Sequence, residues 1–390
     1  AQSATGNTQG KNRYTVFSLW DTNRNLHPLL SLIYPELQSD MVNSMVDMAK
    51  ESGWLPKWEL LGMETEVMVG DPATSVIADT YLRGIRDFDV DSAYRAAKKS
   101  AMMRNNNLLR PENSDYLDLG YVPVDDESTW EGSVSTSLEY YNADWNLAQL
   151  AKALNHQDDY VQFLKRSLNY KKLFDSSTGM LRPKYRSGEW LTPYDPELGR
   201  NFEPAPGYIE GNAWNYRFYV PHDIPGLIKL LGGHENFVLQ LDKTFDTNNF
   251  DMANEPDITY PYLYNYIQGQ EWKSQLRVRE LIKTHYNATP SGIPGNDDAG
   301  TLSTWLVFSM LGFYPTSPGD MNFALTAPQF DEIEITLNPQ YYSGKKLIIK
   351  TEIAPASDEY IKHIEFNEQA LNSFFISHQQ LVEGGQLTFR

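Results

Sequence analysis

The spacing of apolar residues changes near Pro318, and this change constrains the fold more than any other feature of the sequence. From residue 28 to residue 312, apolar side chains recur at three- and four-residue steps in segments separated by short loops, which is the pattern of amphipathic helices. No sustained alternation of strands and helices interrupts these segments, so a helical barrel is favoured over a doubly wound sheet. Beyond Pro318 the apolar residues alternate with period two, as in Glu332-Ile-Glu-Ile-Thr-Leu337, and predict β-strands. We therefore expect a mostly α fold that ends in a small β-sheet.

These patterns divide the chain into three parts. Residues 14–318 are expected to form the helical domain that carries the chemistry, and residues 319–390 a C-terminal β domain, either a sheet or a sandwich. Residues 1–13 begin with a polar stretch that contains no apolar h-region, so they predict a flexible lead-in or linker instead of a signal peptide. Such a start is expected after processing or after a preceding domain.

Charge and composition narrow the classes of partner. The excess of 51 Asp and Glu over 33 Lys and Arg gives a net charge of -18, which argues against nucleic acid and favours neutral or cationic small partners. No stretch approaches the roughly 18 consecutive apolar residues of a membrane span. Because the chain has no cysteine, disulfides, a thiolate nucleophile and cysteine-ligated zinc are excluded. The 9 Trp, 24 Tyr and 17 Phe suit a large core and also stacking against sugar rings.

An acidic loop precedes the most apolar helical run. Gly292, Gly295 and Gly300 mark a sharp turn that contains Asp297 and Asp298, and a strongly apolar run begins at Thr301. One interpretation is that an Asp caps the following helix, as Asp often does. The other is that the helix holds a catalytic carboxylate. The loop alone does not decide between them.

A second carboxylate stands beside aromatic residues. Glu210 precedes Gly211 and a run with helical spacing that includes Trp214 and Phe218. Burial against such rings would raise the pKa of the Glu210 carboxyl and suit it to act as a general acid. The alternative is a helix-start carboxylate that interacts with the helix dipole.

Two further pairs have the chemistry of a sugar or metal site. Asn254 and Glu255, followed by Pro256, place oxygen ligands of the kind that calcium prefers on a rigid turn. Trp20 and Asp21 have two interpretations. Either both line a carbohydrate pocket, or Asp21 caps the next helix.

Taken together, the motifs resemble glycoside hydrolase family 92, the calcium-dependent exo-α-mannosidases. Five blocks occur in the order typical of that family between Phe17 and Pro315. They are Phe17-Ser-Leu-Trp-Asp-Thr22 with His27-Pro28-Leu29-Leu30, Ser133-Val-Ser135 with Leu138-Glu-Tyr140 and Asp144-Trp145, Glu210-Gly-Asn-Ala-Trp214 with Val220-Pro-His-Asp223, Asn254-Glu-Pro256 with Pro261-Tyr-Leu-Tyr-Asn265, and Gly295-Asn-Asp-Asp298 with Gly312-Phe-Tyr-Pro315.

The resemblance implies an (α/α)6 barrel flanked by β-structure, dependence on Ca²⁺, and release of mannose from α-mannosides of glycans with inversion. Members of the family also carry an N-terminal β-sandwich that contributes to the sugar pocket, and this sequence has no room for one before Phe17. Such a domain is therefore expected as a separate partner. Family members are commonly bacterial and exported, which implies a periplasmic or extracellular location.

Individual roles follow from the matching positions. By resemblance Glu210 is the general acid, Asp298 the base that activates water, and Asp297 a weaker match to the base. Inversion requires these carboxyl groups to be roughly 6.5–9.5 Å apart. The resemblance assigns calcium to Asn254 and Glu255, and it assigns Trp20 and Asp21 to the non-reducing mannose.

Linkage and activity are less constrained by the resemblance. Members active on α-1,2 linkages tend to carry a His-Glu pair where this chain has Phe250-Asp251, so an α-1,2 preference is not implied. Two alternatives compete with the mannosidase: a catalytically silent carbohydrate-binding relative, and an (α/α)6 glycosidase of other sugar specificity. The presence of both Glu210 and Asp298 favours an enzyme.

Overall fold

The computed structural model describes residue 10 and residues 12–126, 132–200, 203–353 and 359–390. Residues 1–9 and 11, which make up most of the predicted lead-in at 1–13, lie outside these ranges. The described residues are mostly helical up to residue 311 and mostly strand or loop beyond it.

The helices of the described chain follow the apolar periodicity. They are α1 Leu19–Thr22, α2 Leu26–Ile33, α3 Pro35–Ser52, α4 Pro72–Leu82, α5 Val90–Met102, α6 Asn113–Leu119, α7 Ser133–Ala153, α8 Gln157–Ser167, α9 Ala213–Tyr216, α10 Ile224–Leu230, α11 His234–Asp246, α12 Glu271–His285, α13 Thr301–Leu311 and α14 His378–Glu383. None of these helices is both long and apolar enough to cross a membrane.

In the part of the chain that the structure describes, two short hairpins lie among the helices and two sheets lie near the C-terminal end. The strands are β1 Glu59–Leu60, β2 Met63–Glu64, β3 Phe174–Asp175, β4 Met180–Leu181, β5 Phe313–Pro315, β6 Asn322–Leu325, β7 Glu332–Thr336, β8 Lys346–Thr351, β9 Ile364–Phe366, β10 Gln369–Ala370, β11 Phe375–Ser377 and β12 Gly385–Phe389. The larger sheet has the order β10-β9-β12-β8-β7, in which only β12 and β8 pair in parallel, and the smaller has the order β11-β6-β5. The period-two segments after Pro318 are therefore strands, as the sequence predicts.

The chain forms two compact units. Unit 1 comprises Ala1–Trp20, Asp40–Ala78 and Asp87–Asp257, and unit 2 comprises Asp21–Ser39, Asp79–Arg86 and Ile258–Arg390. Both units contain helices, whereas β5 to β12 all belong to unit 2. The predicted domain division at residue 318 stays a prediction.

Helix α7 forms the centre of unit 1 and is buried on more than one side. Leu138 and Tyr141 on one face, and Tyr140 and Leu147 on the neighbouring face, are all buried. Because only one face of a surface helix is apolar, burial of both faces shows that α7 lies in the interior of the unit. Helix α8 packs against it.

A buried ionic network fixes α7 to its neighbours. The Arg110 guanidinium lies between Asp71, at 3.1 Å from Nε to Oδ2, and Asp144 of α7, at 2.9 Å from Nη1 to Oδ1. Arg166 of α8 also binds Asp144, and the Tyr116 hydroxyl donates to Asp144 Oδ2 at 2.6 Å. Burial alone would raise the pKa of Asp144, but Arg166 and Arg110 outweigh it and hold that pKa below its ordinary value. Asp144 is therefore ionised inside the unit.

Stacked aromatic rings hold α13 in unit 2. Trp305 of α13 stacks on Tyr286 with ring centroids 5.7 Å apart, and its indole N–H donates to the Ile258 carbonyl at 2.8 Å. Tyr262 stacks on Tyr314 of β5 at 4.3 Å. The helix ends at Gly312, whose φ of 86° is the left-handed conformation that favours glycine after a helix. The apolar run that was predicted to begin at Thr301 is therefore a helix, Thr301–Leu311.

Candidate active site

Glu210 lies on a bend that is fixed from both sides within unit 1. The preceding residue, Ile209, donates its N–H to Ser135 Oγ near the start of α7 at 3.0 Å, and its carbonyl accepts from the Tyr216 hydroxyl at 2.7 Å. After Glu210, a side chain at Gly211 would have its Cβ only 2.8 Å from Asn254 Nδ2 and 2.9 Å from Asn215 Oδ1. The backbone at Glu210 can therefore approach these amides only because the next residue is glycine.

The backbone of Glu210 itself is in the left-handed region, with φ at 50°. Among the described Asp and Glu residues, only Glu66, Glu210, Asp298 and Glu368 share this conformation. A residue with a Cβ pays of order 1–3 kcal/mol for such a conformation, which persists only where surrounding contacts impose it. The contacts of Ile209 and Gly211 impose it here.

The predicted burial of Glu210 against aromatic rings is wrong. Its side chain is exposed, whereas Trp214 and Phe218 are buried. Helix α9 contains only Ala213–Tyr216, so the aromatic run is not one continuous helix that shields the carboxyl. Glu210 is also not the helix-start residue, because Asn212 caps α9.

The cap of α9 is a reciprocal pair of asparagines. Asn212 Oδ1 accepts from the Trp214 N–H at 2.9 Å and from the Asn215 N–H at 3.3 Å, while Asn215 Oδ1 accepts from the Asn212 N–H at 2.9 Å. This capping box satisfies backbone donors at the helix start. It also orients the Asn215 amide, whose Nδ2 remains available for a more distant partner.

That partner is the predicted metal-binding turn. Asn215 Nδ2 donates to Asp257 Oδ2 at 2.8 Å, and the same oxygen accepts from the Asp251 N–H at 2.8 Å. From the turn, Asn254 Nδ2 donates back to the Glu210 carbonyl at 2.7 Å. The Glu210 bend and the turn at 251–257 are therefore connected directly, and Glu210, Asn254 and Glu255 all belong to unit 1.

The turn at 251–257 offers hard oxygen ligands for a cation. Asn254, Glu255 and Asp257 are only 2%, 4% and 0% exposed. Since Asn254 Nδ2 is committed to Glu210, its Oδ1 points elsewhere, and this buried oxygen has no hydrogen-bond partner among the described residues. An unsatisfied buried amide oxygen costs free energy, which an oxygen-seeking cation would recover.

No three His, Asp or Glu side chains converge into a metal site in the described chain, so the ligand set would need the Asn254 amide. With that oxygen included, the residues fit Ca²⁺.

The acidic loop before α13 belongs to unit 2, and its two Asp residues differ in role. Asp297 acts as a helix cap, because its Oδ1 accepts from the Ser303 N–H at 2.8 Å and its carbonyl accepts from the Leu302 N–H at 3.2 Å. Asp298 is half-buried and starts three successive left-handed residues, with φ of 47° at Asp298, 55° at Ala299 and 105° at Gly300. The capping interpretation of this loop thus applies to Asp297, and the catalytic interpretation stays a prediction for Asp298.

Trp20 and Asp21 follow each other in α1 and are buried, at 0% and 2% exposed. The division between the units falls between them. Their role in holding a sugar stays a prediction. The distance between the carboxyl groups of Glu210 and Asp298, which belong to different units, also stays a prediction.

Sequence reasoning missed the roles of Asn215 and Asp257. Each residue directly follows a quoted motif, Glu210-Gly-Asn-Ala-Trp214 or Asn254-Glu-Pro256, but neither was assigned a function. The signal for Asn215 was its spacing from Asn212, because a residue three positions after a cap can complete a capping box. Nothing local indicated that Asn215 would bind Asp257, 42 residues away in the sequence.

Solved structures and a curated relative resemble this chain. An α-mannosidase of family GH92 from Bacteroides thetaiotaomicron is 34% identical, with a TM-score of 0.89 over 97% of this chain and 50% of its own. A family GH92 inverting mannosidase from the same organism is 29% identical, with a TM-score of 0.88 over 97% of this chain and 53% of its own. A protein of Arthroderma benhamiae, named an uncharacterized secreted glycosidase, is 29% identical over 89% of this chain and 48% of its own length. The chain therefore spans about half the length of these relatives.

The likeness in structure confirms the predicted fold class, mostly α with a helical barrel and a smaller C-terminal β region. The family predicted from the five motif blocks is confirmed as well, because the model of the glycosyl hydrolase family 92 catalytic domain matches residues 2–390. The chain belongs to glycosyl hydrolase family 92.

Proposed function

We propose that this chain carries the catalytic site of a calcium-dependent, inverting exo-α-mannosidase that releases mannose from α-mannosides of glycans. Membership of family 92 supports glycoside hydrolysis, and two similar structures are those of an α-mannosidase and an inverting mannosidase. The observation that carries the proposal is conformational. Glu210 and Asp298, the two carboxylates that the motifs assign to acid and base, both have left-handed backbones. Backbone strain of this kind is concentrated at functional sites, where a side chain must be held in one orientation.

In this mechanism Glu210 holds a proton on its carboxyl group and donates it to the glycosidic oxygen as the bond to the sugar breaks. The hydrogen bond from Asn254 to the Glu210 carbonyl, together with Gly211, keeps the bend in place while the side chain stays accessible to a substrate. Asp298 accepts a proton from the water that attacks the opposite face of the ring. Inversion requires the two carboxyl groups to stand roughly 6.5–9.5 Å apart, with that water between them.

Asn254 and Glu255 would hold the calcium ion, with the Asn254 amide oxygen as the ligand that the structure leaves unsatisfied. Calcium supplies a cation able to coordinate the cis 2- and 3-hydroxyls of mannose. Asp257 positions the turn through its contacts with Asn215 and the Asp251 N–H. Trp20 and Asp21 would contact the non-reducing mannose, and an N-terminal β-sandwich domain would contribute to the same pocket.

An exported protein, periplasmic or extracellular in a bacterium, fits this substrate, because glycans are found outside the cytoplasm. The name of the relative from Arthroderma benhamiae, a secreted glycosidase, supports export. Fractionation of cells that produce the native gene product, followed by immunodetection, tests the location.

The deciding experiment measures release of mannose from α-linked mannobioses by the wild type and Glu210→Gln, with and without EDTA. Loss of the general acid should lower kcat by roughly 10²–10⁴-fold, because the leaving oxygen then departs without a proton. EDTA should abolish activity, and added Ca²⁺ should restore it. Glu203→Gln, at an exposed position seven residues upstream, is the matched control and should behave as wild type.

Full activity after EDTA treatment would refute the calcium mechanism, and full activity of Glu210→Gln would refute the acid assignment. Binding of mannose without hydrolysis by the wild type would instead identify a silent carbohydrate-binding relative.

A further inference from the structure

A cavity of about 440 Å³ lies within unit 1, apart from the Glu210 bend. The turn of the β3–β4 hairpin forms one wall, Trp214 and Arg217 form a second, and residues of α10 and α11 close it. Neither Glu210 nor Asn254 lines it. Its size is in the range of roughly 300–1,000 Å³ that small-molecule sites occupy.

The charge of this cavity is opposite to that of the chain. The sequence has 51 acidic against 33 basic residues, yet among the described residues the cavity is lined by no Asp or Glu, whereas Arg217 and Lys243 both line it. Without a carboxylate, the cavity has no acid or base for glycoside hydrolysis. It is therefore not a second version of the proposed catalytic site.

The two cations converge on one aromatic ring. The Arg217 guanidinium carbon is 5.1 Å from the Trp214 ring centroid, and Lys243 Nζ is also 5.1 Å from it. On the hairpin side, a Cβ at Gly179 would lie 3.0 Å from Arg217 Nη2, so the glycine gives the guanidinium room against the turn. Both positive groups thus lie beside the Trp214 ring, and both line the cavity.

Other wall atoms suit a polar ligand with an apolar face. Trp214 is 5% exposed, and its indole N–H is buried with no acceptor among the described residues. Asn236 and Gln240 of α11 add amides, while Leu230 and Leu231 add apolar surface. Cationic groups, amide donors and apolar contacts together match a sugar ring that carries an oxyanion.

We propose that this cavity binds an anionic sugar, a saccharide that bears a phosphate, sulfate or carboxylate group, at a site separate from the catalytic one. Arg217 and Lys243 bind the oxyanion, and the α10–α11 side of the cavity contacts the sugar ring. This inference does not depend on the reaction that the chain catalyses.

Isothermal titration calorimetry of the protein with glucose 6-phosphate, glucose and inorganic phosphate tests the proposal. Glucose 6-phosphate should bind, and both glucose and inorganic phosphate should bind at least about tenfold more weakly, since each lacks one half of the recognised group. Binding should weaken as salt is added, because screening reduces the attraction between charges.

The Lys243→Glu variant should weaken binding of glucose 6-phosphate by more than about tenfold, since it places a carboxylate beside the oxyanion. Lys229→Glu makes the same charge change at an exposed position outside the cavity and is the matched control. Thermal unfolding of both variants shows that they are folded.

No binding of glucose 6-phosphate by the wild type, or equal binding by the wild type and Lys243→Glu, would overturn the proposal. If inorganic phosphate binds as tightly as glucose 6-phosphate, the assignment to a sugar is overturned.

Discussion

At the scale of single residues, backbone conformation separates Glu210 and Asp298 from most other carboxylates of the chain. Glu210 is followed by a glycine that lets two asparagine amides approach, and Asp298 is followed by Ala299 and Gly300, both also left-handed. Each conformation costs free energy that neighbouring contacts offset. Neither is explained by an ordinary helix cap, because Asn212 caps α9 and Asp297 caps α13. The strain is therefore consistent with two side chains that are held in fixed orientations for catalysis.

The two Asp residues of the acidic loop should separate stability from activity. Asp297→Ala removes the acceptor of the Ser303 N–H and should lower the free energy of unfolding by about 0.5–2 kcal/mol. Asp298→Asn should leave stability nearly unchanged but lower kcat by roughly 10²-fold or more, since an amide cannot accept the proton of the attacking water. Chemical denaturation and mannobiose hydrolysis, measured on both variants, distinguish the roles. A fully active Asp298→Asn would show that this residue is not the base.

At the scale of elements, the position of α7 is determined by a buried charge as well as by apolar packing. Asp144 is fully buried, and two guanidinium groups share its carboxylate. The apolar residues of α7 explain why the helix is buried, but they leave its rotation and its position along α8 less defined. A buried ionic contact tolerates little displacement, because a misplaced partner leaves a charge unpaired in a low-dielectric interior.

Asp144→Asn should therefore destabilise the protein by about 3–5 kcal/mol, because Arg110 and Arg166 lose their shared counter-charge while remaining buried. The free energy of unfolding from urea titration measures this. Glu332→Gln breaks the exposed pair with Lys350 on β7 and β8, at 3.0 Å, and should cost about 1 kcal/mol or less. Equal effects of the two substitutions would contradict a structural role for the buried network.

At the scale of the whole molecule, buried histidines make the stability depend on pH. Burial lowers the pKa of His27 to about 4, although a hydrogen bond with Gln38 and the charge of Asp79 act in the opposite direction. Burial and then Arg83 lower the pKa of His378 well below its ordinary value. In both cases the folded-state pKa is below the unfolded one, so the folded protein favours neutral imidazole. The associated stability is complete above a pH of about 6.5 and is lost as the pH falls toward the folded pKa.

The free energy of unfolding should thus fall between about pH 6.5 and pH 4, by up to about 1.4 kcal/mol per pH unit for each buried histidine. Urea titrations at several pH values measure the slope. His27→Gln should reduce the slope, whereas His234→Gln, at an exposed position of α11, is the matched control. An unchanged slope in His27→Gln would show that His27 does not contribute to the acid sensitivity.

Much of this molecule was predictable from patterns that involve neighbouring residues. Apolar periodicity separated the helical part of the chain from the strands that follow it and identified β7, and the loop-to-helix step at Thr301 located α13. The five motif blocks identified the family, and two of them contain Glu210 and Asn254, which are hydrogen-bonded in the structure. These inferences succeed because the formation of helices and strands, and the matching of motifs, depend on residues a few positions apart.

Other properties were decided only by the tertiary structure. Proximity to Trp214 and Phe218 in the sequence predicted a buried Glu210, but the rings are buried in unit 1 while the carboxyl remains exposed. The contact of Asn215 with Asp257 joins residues 42 positions apart. Likewise, residues 21–39 and 79–86 belong to the same unit as the C-terminal strands. Exposure and distant hydrogen bonds depend on which segments pack together, and local sequence patterns carry no information about that packing.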